Sequence, residues 1–149
     1  MNNAKSLTGA KAPWHLWVVG ILAVLWNGLG AVDYLMTELR HAAYLSAFTA
    51  EQIAYFETLP KWTIATWATG VWGGVIGAAL ILLRRRLAAP VLAASLAAAA
   101  ATFFYNFVLS NGLRIMGGPV ALVMPALVII IGILLLLYAR KSVGAGWLR

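Results

Sequence analysis

The chain has no cysteine, and that removes disulfide bonds, thiolate nucleophiles and thiolate metal sites in one step. Histidine is nearly as scarce: His15 and His41 are the only two. They fall at opposite ends of the first apolar segment, too far apart to share a haem or a metal ion. Acidic residues are few as well, Asp33, Glu38, Glu51 and Glu57. No paired intramembrane carboxylates, nucleophile elbow or phosphate-binding glycine loop occurs, so the expectation is a protein that is not an enzyme and carries no cofactor or metal. Charged residues make up only 10% of the 149 residues, whereas 63% are hydrophobic and the mean hydropathy is +0.89. A water-soluble core cannot hide that much apolar surface. At about 20 residues per membrane crossing, the length accommodates about four transmembrane helices and no second domain. The expected class is all-α, an integral membrane four-helix bundle in a single membrane domain spanning 1–149.

The first span is expected from Trp14 to about Met36, after a polar start and Pro13, with Trp14 and Trp17 at headgroup level. Its length exceeds the short apolar region of a cleaved signal peptide. Residues 37–61 interrupt the hydropathy with four charged side chains beyond Glu38 and form an external loop. Within that loop, Thr49 followed three residues later by Gln52 is a capping-box pattern. A short helix over about 50–58 is expected there, lying on the membrane surface with Ile53 and Phe56 turned inward. The second span covers about 62–83 and stops at Arg84, Arg85 and Arg86. The third covers about 89–111, with Pro90 in its first turn, and the fourth about 119–139, ending before Arg140 and Lys141. Pro125, in the middle of this last segment, is expected to remove a backbone hydrogen bond and kink it.

Charge sorts by side. Lys5, Lys11, Arg84, Arg85, Arg86, Arg140, Lys141 and Arg149 share one side with no acid, whereas Arg40, Lys61 and Arg114 on the other side meet four acids. The positive-inside rule puts both termini and the arginine joint in the cytoplasm, and this distribution explains the net charge of +7 without nucleic acid as a partner. The expected location is the bacterial inner membrane, with the lipid bilayer as the first partner.

Helices in lipid associate through small residues and polar contacts. Gly70 and Gly74, and again Gly73 and Gly77, have small-xxx-small spacing; packing within the bundle against the alanines of the third span is favoured over a homodimer interface. Asn27 and Asn106 must find partners in hydrocarbon, as structural glue or as the lining of a polar pathway. Each follows an aromatic residue, Trp26 and Tyr105, so a loose two-plus-two repeat competes with coincidence. Asp33 is the one acid inside a span. Steps of three place Asn27, Gly30 and Asp33 on roughly one face, and Arg114 beyond the third span is a candidate ion-pair partner for Asp33. The pair reads either as a topology-stabilising bridge or as a ligand or proton site at the outer mouth. The aromatics Trp26, Tyr34, Trp67, Trp72 and Tyr105 read as core or membrane belt, or as rings for stacking on a sugar.

Three stretches, LWNGLGAVDYLMTE (25–38), YLSAFTAEQIAYFETLPKW (44–62) and ATWATGVWGG (65–74), resemble a family of short four-helix bacterial inner-membrane proteins labelled "sugar transporter". The resemblance implies a transporter or transporter-like protein for a small polar solute. Four helices are expected to enclose little volume alone, so this reading calls for a homodimer or another membrane protein as partner. The alternative is a structural or accessory membrane protein with a dry bundle core. A water-reachable cavity separates the two.

Overall fold

The computed structural model describes residues 11–149, so Lys5 lies outside the described residues. Four helical segments among them are long and apolar enough to cross a membrane: Trp14–Glu38, Lys61–Leu82, Ala88–Leu109 and Gly118–Gly144. The first is helix α1, Trp14–Glu38, 25 residues or about 37 Å of rise. Two short helices follow, α2 at Ala42–Leu45 and α3 at Ala50–Glu57. The Thr49 side chain of α3 accepts from the Gln52 backbone N–H, and the Gln52 side chain accepts from the Thr49 N–H. Then come α4 at Lys61–Leu82 and α5 at Ala88–Phe104, the latter continued by a π-helical turn over Tyr105–Leu109. Helix α6, Gly112–Ile115, and a 3₁₀ turn, Gly118–Leu122, lead into α7 at Val123–Gly144.

Helices α4 and α5 form the tightest pair, and residue size explains it. A Cβ placed on Gly70 would stand 3.2 Å from the Ala99 nitrogen, and one on Gly73 would stand 2.9 Å from Ser95 Cβ. One on Gly77 would meet the Leu92 side chain, and one on Gly74 would overlap Asn27 Oδ1 of α1. Three of these glycines thus admit α5 and the fourth admits α1. Polar bridges reinforce the close approach, since Ser95 Oγ donates to the Gly70 carbonyl at 2.6 Å and Thr66 and Thr102 hydroxyls meet at 2.9 Å.

The bundle is packed at one end and spread at the other. At the arginine end, Leu16, Ala23, Ile81, Ala88, Leu92 and Ala139 belong to one buried apolar cluster. His15 Nδ1 lies 2.6 Å from Tyr138 Oη, joining α1 to α7, and Trp147 packs edge-on against the His15 ring at 5.3 Å. The tail after α7 is stitched to the α4–α5 joint by Arg149 N–H to the Arg84 carbonyl (2.8 Å) and Arg86 N–H to the Arg149 carbonyl (3.2 Å). Towards the loop end, α1 packs on α4 and α5 on α7, but α1 and α7 make no extended contact.

Two boundaries differ from expectation. Helix α7 does not stop before Arg140 but continues to Gly144, because long basic side chains reach water from a helix that runs past the apolar boundary. Pro125 does not interrupt the helix. The α-helical path starts at Val123, so Pro125 is its third residue, where the missing N–H has no intrahelical partner to lose.

Candidate functional site

Where the helices spread, they surround a cavity of about 770 Å³. Its walls follow the helical repeat: residues 26, 27, 30, 33 and 37 of α1, 63, 67, 70, 71 and 74 of α4, 95, 99, 102, 103 and 106 of α5 and its π turn, and 124, 128, 131, 132 and 135 of α7 all face it. A single chain thus lines a space of ligand size, partly open between α1 and α7.

Asn27, Gly30 and Asp33 line this space together, and Asn106 faces it from the opposite wall. The two asparagines do not bond to each other. Asn27 Nδ2 donates to the Ala23 carbonyl and Asn106 Nδ2 to the Thr102 carbonyl, both at 2.8 Å, so each amide bonds the backbone one turn back on its own helix. The Asn106 Oδ1 atom instead accepts from Tyr55 Oη at 2.8 Å. Tyr55, on α3, also contacts Ser110 Oγ at 2.7 Å and is only 8% exposed. Burial is the main cause that pushes its phenol above the ordinary value; Ser110 partly offsets it. Gln52 Nε2 adds a bond to the Ile115 carbonyl at 3.3 Å, so α3 is fastened across the end of the π turn and α6. The close fit requires Gly112, because a Cβ there would overlap the Asn106 carbonyl and stand 2.7 Å from Tyr55 Oη.

Asp33 does not pair with Arg114. Its Oδ1 accepts a hydrogen bond from Tyr44 Oη of α2, while Arg114 is exposed on α6 and does not line the cavity. The reason is local. The backbone turns at Arg40 in the left-handed region (φ 52°) and folds α2 back over the end of α1, which delivers Tyr44 to Asp33 before any distant cation reaches it. Burial, first, and then the hydrogen bond and charge of Asp33 push the Tyr44 phenol up to about 12. Tyr44 therefore stays protonated and donating throughout the neutral range. The ion pair found among the described residues is Arg40 with Glu57, 2.7 Å apart and well exposed.

Aromatic rings crowd the same mouth. Phe48 sits 5.5 Å from the Tyr44 ring and 5.4 Å from Phe56, and both phenylalanines line the cavity. Deeper, Trp67 packs edge-on to Tyr34 at 5.0 Å, and Trp26, Phe103 and Phe107 complete the ring set. Of the aromatics singled out in the sequence, Trp26 and Trp67 line the cavity, whereas Tyr34, Trp72 and Tyr105 do not. Tyr44 and Tyr55 carried no sequence signal beyond lying in a loop rich in aromatics.

Most of the polar lining is spent internally. Ser95, Thr102 and Thr37 hydroxyls donate to backbone carbonyls, and the Gln52 amide uses both its oxygen and its nitrogen. The Thr63 hydroxyl is buried without a partner, and Asp33 retains an uncommitted carboxylate oxygen. No family model matches the sequence, and no curated protein and no solved structure matches it.

Proposed function

We propose that this chain is a multi-pass protein of the bacterial inner membrane that takes a small polar solute into an outward-facing cavity, as a transporter or transporter-like protein. Both chain ends and the arginine joint lie in the cytoplasm in this reading, and α3 rests at the outer headgroup level. The observation that carries it is the 770 Å³ cavity, which gathers Asn27, Asp33 and Asn106 while the opposite end of the bundle is closed. A bundle built only to be structural would bring α1 and α7 together and fill that space, since unfilled volume forfeits packing energy. The charge asymmetry supports the orientation: the closed end carries Arg84, Arg85, Arg86, Arg140, Lys141 and Arg149, and no acid among the described residues lies there. Solute enters from the loop side, is held against the α1 face by Asp33, and is screened from the cytoplasm by the His15, Tyr138 and Trp147 contacts.

The absence of cysteine makes the test direct, because each introduced thiol is the sole reactive one. Single variants Ala43→Cys on the loop, Ala145→Cys at the arginine end, and Gly30→Cys and Val128→Cys in the cavity are treated in intact cells with a membrane-impermeant maleimide. Ala43→Cys, Gly30→Cys and Val128→Cys should label from outside, and Ala145→Cys only after the membrane is opened. Cavity thiols that resist impermeant and small permeant reagents alike would mean a sealed, dry core, and the chain would then be read as a structural or accessory protein.

A further inference from the structure

The cavity's charge and chemistry are one-sided. Asp33 is its one ionisable acid, and no lysine, arginine or histidine is among the described residues lining it. Its hydroxyl and amide side chains mostly bond to the protein itself, which leaves Thr63 Oγ1, Asn27 Oδ1, the second N–H of Asn27 and of Asn106, and the Trp26 and Trp67 indole N–H groups. A sugar needs many free donors and acceptors around its hydroxyls, and an anion needs a cation; the walls supply few of the former and, among the described residues, none of the latter. They supply a carboxylate at the mouth and six aromatic rings, Trp26, Phe48, Phe56, Trp67, Phe103 and Phe107. Ring faces attract cations, and so does the carboxylate of Asp33, which is exposed at the mouth. Tyr44 holds Asp33 by one oxygen and leaves the other for the ligand.

We propose that the cavity takes a monovalent organic cation: an ammonium group seated between Asp33 and the Phe48–Phe56 pair, with its apolar or aromatic body among the deeper rings. This rests on the outward-facing cavity proposed above and names the solute's class. The volume of about 770 Å³ admits a body of drug-like size.

The test is equilibrium dialysis of radiolabelled benzyltrimethylammonium against the full chain in mild detergent. Competitors are neopentylbenzene (the neutral isostere), phenylacetate and glucose. Saturable binding near one per chain is expected, with no displacement by phenylacetate or glucose. The neutral isostere should compete at about tenfold higher concentration or more, reflecting the loss of the charge term. Asp33→Asn, isosteric and neutral, should weaken binding about tenfold or more, and Asp33→Glu should recover most of it. Displacement by glucose, equal affinity in Asp33→Asn, or an absence of saturable binding each overturns the proposal. If that happens while Gly30→Cys still labels from outside, the cation assignment falls and the cavity reading stands. If Gly30→Cys is also unreactive, both fall.

Discussion

Three glycines offer a test in which one chemical change has opposite outcomes. Gly28 and Gly30 on α1 have nothing within 4 Å of a built Cβ, whereas a Cβ on Gly74 of α4 would overlap Asn27 Oδ1 and stand 2.9 Å from its Cγ. Replacing a helical glycine by alanine gains up to about 1 kcal/mol where space is open. Gly28→Ala and Gly30→Ala should therefore stabilise the chain by about that amount or less. At Gly74 the same gain is opposed by overpacking, roughly 1 to 3 kcal/mol. The displaced Asn27 would also strain its bond to the Ala23 carbonyl within α1, a further cost of about 0.5 to 1 kcal/mol. The net expectation is a loss of about 1 to 2 kcal/mol, so Gly74→Ala should lie roughly 2 to 3 kcal/mol below Gly30→Ala. Reversible unfolding in mixed micelles, followed by helical circular dichroism, measures the difference. Larger residues then separate cavity from lipid: Gly30 lines the cavity and Gly28 does not. Gly30→Leu should abolish benzyltrimethylammonium binding and Gly28→Leu leave it intact, with both proteins folded. Equal shifts of one sign at Gly30 and Gly74, or unimpaired binding in Gly30→Leu, would refute the placement of α1 against α4 and the cavity.

Three further outcomes are specific. Phenolate absorbance should show a tyrosine titrating near 12 that disappears in Tyr44→Phe and moves down in Asp33→Asn. Because the folded value lies above the ordinary 10, this contribution to stability is fully present below about 10 and is lost as pH rises through about 12, so it is constant across neutral pH. Tyr55→Phe removes the donor to Asn106 Oδ1 and should cost about 1 to 2 kcal/mol, with amide exchange rising more in α3 than in α4; unchanged α3 protection would show that Tyr55 does not fasten it. Pro125→Ala should alter stability by less than about 1 kcal/mol, since position three of α7 has no intrahelical bond to restore; a gain near 3 kcal/mol would place the proline in a helix interior after all.

The four spans were legible because hydropathy over about 20 residues is a strong, local signal, and because Thr49 and Gln52 announce a helix start within four residues. Boundaries were less so. Arg140 and Lys141 look like a stop, yet a helix carries basic residues through its last turn when their stems lie along apolar surface and their charges reach water. Pro125 looked like a kink because the sequence does not reveal that Gly118–Leu122 runs as 3₁₀ and resets where the α-helix begins. The π turn at Tyr105–Leu109 has no hydropathy signature either; it shifts the helical register by one residue at the segment that presents Asn106.

The site divides along the same line between local and distant information. Asn27, Gly30 and Asp33 share a face because they lie on one helix at steps of three, so their meeting in the cavity follows from α1 alone. What binds Asp33 does not. Charge arithmetic points to Arg114, but electrostatic complementarity says only that a partner of opposite sign is favourable, not that the chain can deliver it. Delivery depends on Arg40 adopting a left-handed conformation that non-glycine residues rarely take, and this places Tyr44, eleven residues beyond Asp33, within hydrogen-bond reach. The difference alters the chemistry of the cavity. An arginine at that position would have cancelled the carboxylate and left a neutral mouth; a tyrosine holds the same carboxylate through a neutral donor and leaves its charge available to a ligand.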